Sequence, residues 1–464
     1  MRGRLSMIAL RNYQRHAVDR IEGPLNYRAL LAFDIGLGKT VTALELVRRH
    51  PDILPAIVVC PASVKHHWEQ ETMAHLGLQA TILDTRTPPT QAGLHGPLKI
   101  AIINFDILPY WIDWLRSLEP RLVVIDEIQN LGNHTAKRTK AVRKLCDAIP
   151  NILMLSGTPL LNRPIELWPG LSILRPDLYT SRWSFGERFC NPRLVFGRWE
   201  FKGARHLDVL HRELVQDVMI RCRLRDVLSE LPRQSRHVRV LPLSDPGLYR
   251  RAERGFLDWA KSAGYNKTNG NHQADRLRLM SHLKQLAARL KLPAVLEWVN
   301  QMLEESNEKL VLFCWHRKCA AALQKGSRAK SVVITGECNR HERQQAIRQF
   351  RNDSRTRVFI GNIKAAGVGL DGLQIAQTCA FVELAWTPGA HSQAEGRLNR
   401  MGQERPSRAY YLVAANTIEA TLLQLLQSKQ GVISATLDGG PQDNDLDVFN
   451  RLEAELTSDH ARPH

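Results

Sequence analysis

No apolar run in this chain of 464 residues approaches the roughly 20 residues that cross a bilayer, which excludes a membrane-spanning helix. The opening stretch MRGRLSMIALRNYQRH has too few consecutive apolar residues for a secretory leader. Cysteine is sparse: eight thiols lie scattered, none in a CxxC pair, so a disulfide framework or a four-cysteine zinc module is not indicated. Cys314, His316 and Cys319 lie near one another but lack a second half-site, and reduced thiols are the preferred reading. No repeat recurs at a fixed short period, which argues against a solenoid. Acidic residues are outnumbered, 46 against 64 basic ones. A soluble protein is expected, cytoplasmic, or nuclear in a eukaryote.

What is present begins with charge. A formal net charge of +18 points to a polyanionic partner, and nucleic acid is the first choice. The charge is uneven. From Leu437 onward seven acidic residues face two basic ones, so 437–464 is expected to be a flexible acidic tail. Such a tail could compete with DNA for a basic groove.

Short runs rich in Val and Ile alternate with helical stretches. Candidate strands are Ala56–Cys60, Lys99–Asn104, Leu122–Asp126 and Ile152–Leu155, then Leu310–Cys314, Val332–Thr335, Val358–Gly361, Ala380–Leu384 and Ala409–Val413. Runs apolar on both faces and separated by helices predict buried parallel strands, hence an α/β fold of two doubly wound units. The expected division is 1–232, with a helical insertion at about 166–232, and 233–436, with another at about 240–305. Gly264–Asn271 reads as an exposed loop, and Leu231–Pro232 as a breakpoint.

Two local patterns carry chemistry. In LLAFDIGLGKT (Leu30–Thr40) an apolar segment enters a glycine turn and then a helix. Gly36, Leu37 and Gly38 would aim backbone N–H groups at phosphate oxygens, helped by the helix dipole. Lys39 would reach the β and γ phosphates and Thr40 would hold Mg²⁺. Phe33 stands where the strict GxxxxGK[ST] pattern has its first glycine. In LVVIDEIQ (Leu122–Gln129) the hydrophobic run places Asp126 and Glu127 at a strand's carboxyl end, the ligand-binding edge of open α/β sheets. Asp126 would hold the metal ion and Glu127 would orient and deprotonate the attacking water.

The stretch ELAWTPGAHSQAEGRLNRMGQ (Glu383–Gln403) holds a QAxxRxxRxGQ core of Gln393, Ala394, Arg397, Arg400, Gly402 and Gln403. With the two patterns above, it resembles superfamily-two helicases, and within them the Swi/Snf-type DNA-dependent ATPases. ELAWTPG and YYLVAANTIEATLLQLLQSK look most like the annealing-helicase, fork-remodelling subgroup. The resemblance runs from about Leu10 to Lys429. It implies two RecA-like lobes sharing one ATP site. Arg400 would be the principal arginine finger, with Arg397 close by. Gln14 of LRNYQ would bond the adenine edge, Ser156, Gly157 and Thr158 would couple hydrolysis to lobe movement, and Gly369 of AAGVGL and Gln393 would border the nucleotide. Lys65 (PASVKHHW), Asn104 (INFD), Lys137, Arg138, Lys364 and Trp386 are candidate nucleic-acid contacts. The sequence departs from the family at Phe33, where Asp is usual, at Gln129, where His is usual, and at Cys222, where a basic residue is usual. The function implied is an ATP- and Mg²⁺-dependent motor, expected as a monomer on duplex or forked DNA. A strand-separating helicase is the first alternative, and a basic DNA-binding scaffold with a vestigial ATPase the second.

Overall fold

The computed structural model describes residues 10–88, 98–195, 197–227, 234–262, 270–363, 372–400, 403 and 405–440. They fall into two compact units: the described residues within 1–195, 199–229 and 432–440 in one, and those within 196–198 and 230–431 in the other.

In the first unit, β1 (Arg28–Phe33), β2 (Ala56–Cys60), β3 (Thr81–Leu83), β4 (Ile100–Asn104), β5 (Leu122–Asp126) and β6 (Asn151–Leu155) are followed by two three-residue strands, β7 (Arg193–Val195) and β8 (Arg198–Glu200), and then by β9 (Met219–Cys222). All but β7 and β8 form one sheet in the order β3-β4-β2-β5-β6-β1-β9, and every pair is parallel. The side-chain alternation explains the near-continuous apolar strands. Leu30 and Ala32 of β1, with Val123 and Ile125 of β5, point into one core. Ala29, Leu31 and Phe33, with Leu122 and Val124, point into the other.

The second unit repeats the plan. β10 (Gln234–Leu241), β11 (Leu310–Cys314), β12 (Lys330–Ile334), β13 (Thr356–Asn362), β14 (Thr378–Phe381) and β15 (Ser407–Ala414) lie in the order β10-β15-β14-β11-β13-β12. Again every pair is parallel. Val311, Phe313, Phe359 and Phe381 face one core, and Leu310, Leu312, Ile360 and Ala380 the other. The α/β class with two parallel-sheet units, expected from the apolar runs, is what the chain adopts.

Between β6 and β9 the chain is helical at Trp168–Leu174, Arg182–Phe189 and Leu207–Asp217, and between β10 and β11 at Pro246–Ser262 and Gly270–Glu305. The loop expected at Gly264–Asn271 lies mostly outside the described residues, as does the breakpoint at Leu231–Pro232. Of the acidic C-terminal stretch, Leu437 is buried in the first unit's core and Asp438 pairs with Arg221 Nε at 2.8 Å. Residues 441–464 lie outside the description. Among the described residues no helix is long and apolar enough to cross a membrane.

Candidate active site

Strands β5, β6 and β1 are consecutive neighbours, so whatever follows their carboxyl ends is gathered at one sheet edge. After β1 comes the glycine turn. Gly36 (φ 87°) and Gly38 (φ 71°) take the left-handed backbone that L side chains resist. Gly38 caps the helix Lys39–Arg49. A Cβ on Gly38 would also stand 2.4 Å from Gln14 Nε2, so it would displace that amide as well as strain the backbone. Gln14 is buried. Its amide nitrogen donates to Leu37 O at 3.3 Å and its oxygen accepts from Arg11 N at 2.9 Å. Tyr13 O–H donates to the same Leu37 O at 3.1 Å. The residue expected to read a base edge therefore braces the turn in this structure. Lys39 Nζ donates to Phe33 O at 3.0 Å and to Asp34 O at 3.4 Å.

Phe33, the departure from the family's usual Asp, is wholly buried and meets Tyr13 edge-on at 5.9 Å. A carboxylate would be costly there. The neighbouring Asp34 carries the acid instead. Its carboxylate accepts from Arg221 Nη1 at 2.7 Å and from Leu224 N at 2.9 Å, tying the turn to β9 and to the helix after it.

At the end of β5, Asp126 Oδ2 accepts from the indole N–H of Trp68 at 2.9 Å. Burial, reinforced by the charge of Glu127, raises the Asp126 carboxyl to about 7. A group so destabilised as an anion is suited to a cation. With the Thr40 hydroxyl it offers hard oxygen donors of the kind Mg²⁺ takes. Glu127 sits at φ 61°, a strained backbone for a residue with a side chain. Its Oε2 accepts from Gln129 Nε2 at 2.7 Å. Gln129 Oε1 in turn accepts from Ser156 Oγ at 2.7 Å, and Ser156 Oγ accepts from Thr158 N at 2.9 Å. The acidic pair is thus hydrogen-bonded through Gln129 to the SGT segment after β6. That segment also lies against the phosphate turn, since a Cβ on Gly157 would come within 2.9 Å of Ile35 Cγ1.

Arg397 and Arg400 belong to the second unit, just beyond the helix Pro388–Glu395, which begins five residues before Gln393. Glu395 anchors this helix. It is paired with Arg236 of β10 at 2.7 Å and accepts from Tyr411 O–H of β15 at 2.7 Å. His391 fixes the turn before it, its Nε2 accepting from Ala385 N and its Nδ1 donating to Thr387 O, each at 3.1 Å. Burial lowers the His391 pKa to about 4, in keeping with a neutral ring. Gln403 Nε2 donates to Gln374 O at 3.0 Å and Ala376 O at 3.1 Å. Glu383 accepts from Trp315 N and His316 N at 2.8 Å and from the His316 ring at 2.5 Å. Burial opposes its charge, but the His316 ring and these N–H groups keep the carboxyl below its usual range.

The candidate nucleic-acid contacts fare differently. Lys65 and Asn104 are turned inward, a correction to their reading as backbone grips. Lys65 is buried, donating to Leu83 O at 3.0 Å, to Asn104 Oδ1 at 3.1 Å and to Asp84. Lys137 and Arg138 are exposed at the start of the helix Lys137–Cys146. Trp386 is half-buried, with Lys284 Nζ 4.9 Å from its ring centre. Lys364 and Gly369 lie outside the described residues.

Sequence reasoning missed the side chains behind the site: Trp68, Asp34, Glu395, His391 and the bridging role of Gln129. Trp68 ends the PASVKHHW segment, but nothing local in that segment reports a partner 58 residues away. For Glu395 no signal existed, because Arg236 lies 159 residues away.

Comparison with known proteins is consistent with this geometry. The SNF2-related domain matches residues 13–292 and the helicase conserved C-terminal domain matches residues 292–402. The DNA annealing helicase and endonuclease ZRANB3 of Mus musculus is 28% identical over 425 residues, covering 89% of this chain and 39% of that protein. The SWI/SNF-related matrix-associated actin-dependent regulator of chromatin subfamily A-like protein 1 of Xenopus tropicalis is 29% identical over 413 residues, covering 88% of this chain and 43% of that one. The chain therefore spans about two-fifths of the curated relatives it matches. The SWI2/SNF2 ATPase core of Sulfolobus solfataricus in complex with double-stranded DNA aligns over 92% of this chain at 22% identity, with a TM-score of 0.45. With the profile covering well over half of its length, the chain belongs to the SNF2-related family.

Proposed function

We propose that this chain is an ATP-driven motor that moves along double-stranded DNA, with remodelling or reannealing of forks as its work. The observation that carries the reading is the shared edge of β1, β5 and β6. There a lysine-bearing glycine turn, two adjacent carboxylates and a hydroxyl-bearing segment follow neighbouring strands, and hydrogen bonds join Glu127 through Gln129 to Ser156. The net charge of +18 suits a sugar–phosphate partner. Relatives named as DNA annealing helicases favour the reannealing of strands as that work.

In this reading Lys39 leaves the Phe33 and Asp34 carbonyls to meet the β and γ phosphates. Thr40 and Asp126 would hold Mg²⁺, which when bound neutralises charge on the phosphate oxygens. Glu127 orients the attacking water and takes its proton. Arg397 and Arg400 are assigned to stabilising the charge that spreads in phosphoryl transfer. Gln129 passes the state of Glu127 to Ser156. Gly36, Leu37 and Gly38 contribute backbone N–H groups, and Gln14 holds them in place. Gly369 and Gln393 border the nucleotide. Lys137, Arg138, Lys364 and Trp386 are assigned to the nucleic-acid side.

The test is ATP hydrolysis without nucleic acid and with duplex, single-stranded, forked DNA or RNA, each at two salt concentrations. Stimulation by duplex or forked DNA that fades with salt is expected. Stimulation by RNA alone would overturn the DNA assignment. Lys39→Ala and Arg400→Ala should each abolish turnover and leave DNA binding largely intact; turnover retained in either removes that residue from its role.

A further inference from the structure

A second feature of the first unit is absent from this mechanism. The helix Arg182–Phe189 is capped by Ser181, whose hydroxyl accepts from Trp183 N and Ser184 N. Its inner face buries Phe185 and Phe189. Strands β7 and β8 pair beside it, and Phe201, which follows β8, is buried so close to this helix that a Cβ on Gly186 would come within 2.2 Å of its ring. This packing fixes the outer side chains. Trp183 and Trp199 meet edge to face, ring centres 4.9 Å apart at 77°, and Trp183 meets Phe201 at 5.5 Å.

The two indoles remain in water nonetheless. Trp183 is 42% exposed, Trp199 51%, and Leu194 between them in sequence 60%. Large apolar side chains held rigidly at a surface mark a recognition site rather than a core. The charge around them selects the partner. Residues 181–205 hold six Arg and Lys against two Glu; Arg193 is exposed, and Arg188 and Lys202 keep more than half of their side chains exposed while pairing with Glu213 and Glu200. Cations beside exposed indoles are the composition that binds single-stranded nucleic acid: the charges follow the backbone and the rings stack on bases, with little regard for sequence. Duplex DNA cannot use the rings, because its bases are already stacked and paired.

We infer that Trp183 and Trp199 form a stacking platform for unpaired bases, of the kind exposed where a fork opens or where a displaced strand leaves a duplex. This rests on the motor reading and adds a second, single-strand contact to it.

The experiment compares the full chain with Trp183→Ala/Trp199→Ala by fluorescence anisotropy on labelled oligo(dT) and on a blunt duplex, with duplex-stimulated ATP hydrolysis followed in the same preparations. Oligo(dT) affinity should fall about tenfold or more, while duplex affinity and duplex-stimulated hydrolysis stay unchanged. Trp183→Phe/Trp199→Phe should restore oligo(dT) binding, since a phenyl ring still stacks. Equal losses on both DNAs, or no loss on oligo(dT), overturn the platform; the second result would leave the face to a protein partner. If the alanine variant does not fold, photocrosslinking of iodouracil-bearing single strands to the wild-type chain decides. Adducts at Trp183 or Trp199 support the platform, and adducts only elsewhere overturn it. Absence of DNA-stimulated hydrolysis in the wild-type chain would sink the motor reading whatever oligo(dT) does.

Discussion

The two units place the side chains proposed for the site by different physical means. In the first, Asp126, Glu127 and Ser156 sit directly at the ends of adjacent parallel strands and Lys39 follows the glycine turn after a third, and backbone conformation does most of the positioning. Gly36, Gly38 and Glu127 all have positive φ. In the second, Arg397 and Arg400 follow a short helix that side-chain anchors must hold. Glu395 is paired with Arg236, Glu383 with His316, and Lys284 lies 4.7 Å from the Trp315 ring centre and 4.9 Å from that of Trp386. Deeper in that unit, Lys291 donates to Leu412 O at 2.6 Å and to both Glu419 oxygens at 2.7 Å, all out of solvent. A site built on strand ends tolerates little change in backbone but needs few ion pairs. A site built on an anchored helix depends on the anchors.

The largest effect that would test this contrast is chemical. Glu127→Gln keeps the shape of the strand end and removes the proposed base. Steady-state ATP hydrolysis should fall by about 10²–10⁴-fold, with nucleotide binding and melting temperature preserved. A fall below tenfold would show that water activation lies elsewhere.

In the second unit the matching change is structural. Lys291→Met leaves the Glu419 carboxylate buried without its cation, a loss of roughly 3–5 kcal/mol in unfolding free energy. Lys291→Met/Glu419→Leu should recover much of this, because well-packed apolar groups can replace a buried pair. Denaturant melts of the three proteins check it. A single variant as stable as the parent would mean the pair is not an anchor.

His391 adds a pH dependence with a definite sign. In the folded chain the ring stays neutral down to about pH 4; unfolded, it protonates near 6.5. Between these values the unfolded chain binds the extra proton, so stability falls as pH drops from about 6.5 towards 4 and levels off below that. The loss from this group is on the order of 3 kcal/mol. The groups facing the ring are Glu395, Lys284 and Arg236; the first favours its protonation and the other two oppose it. His391→Gln should flatten this part of the stability–pH curve, measured by thermal melts across the window. An unchanged slope would assign the dependence to other groups.

Strands buried on both faces were legible because their apolar runs are continuous. Ala56–Cys60, Leu122–Asp126 and Leu310–Cys314 have the boundaries expected of them. Of the edge strands, β12 (Lys330–Ile334) was legible within a few residues, but β3 and β10 were not. β3 is three residues long, and β10 (QSRHVRVL) alternates between half-buried and exposed positions over most of its length, which reads as a polar segment. In the candidate site, residues that carry chemistry come in local patterns such as GKT, DE and SGT. Their supports do not: Arg221 and Asp34 are 187 residues apart, and no periodicity reports a partner at that distance. Lys65 misled for the opposite reason. A lysine at the start of a helix reads as exposed charge, and only the fold supplies the three acceptors that draw it inward.

The smallest predicted effect bears on how the first unit's edge communicates. Gln129 holds Glu127 with its amide nitrogen and takes the Ser156 hydroxyl with its oxygen, so it can serve both only with its amide in one orientation. Gln129→Leu removes both bonds at similar volume, and each is worth about 1 kcal/mol. If the bridge orients Glu127 for water activation, kcat should fall by roughly tenfold while KM for ATP hardly moves. Gln129→His, the residue usual in the family, can still donate from one ring nitrogen and accept at the other, and should restore most of the rate. Ser156→Ala breaks the far bond alone. It should leave basal hydrolysis nearly intact and lower the stimulation by DNA, because the bond to Glu127 survives while its link to the segment after β6 is lost. Equal losses of basal and DNA-stimulated rates in Ser156→Ala would make the bridge a scaffold for Glu127 rather than a route between hydrolysis and movement.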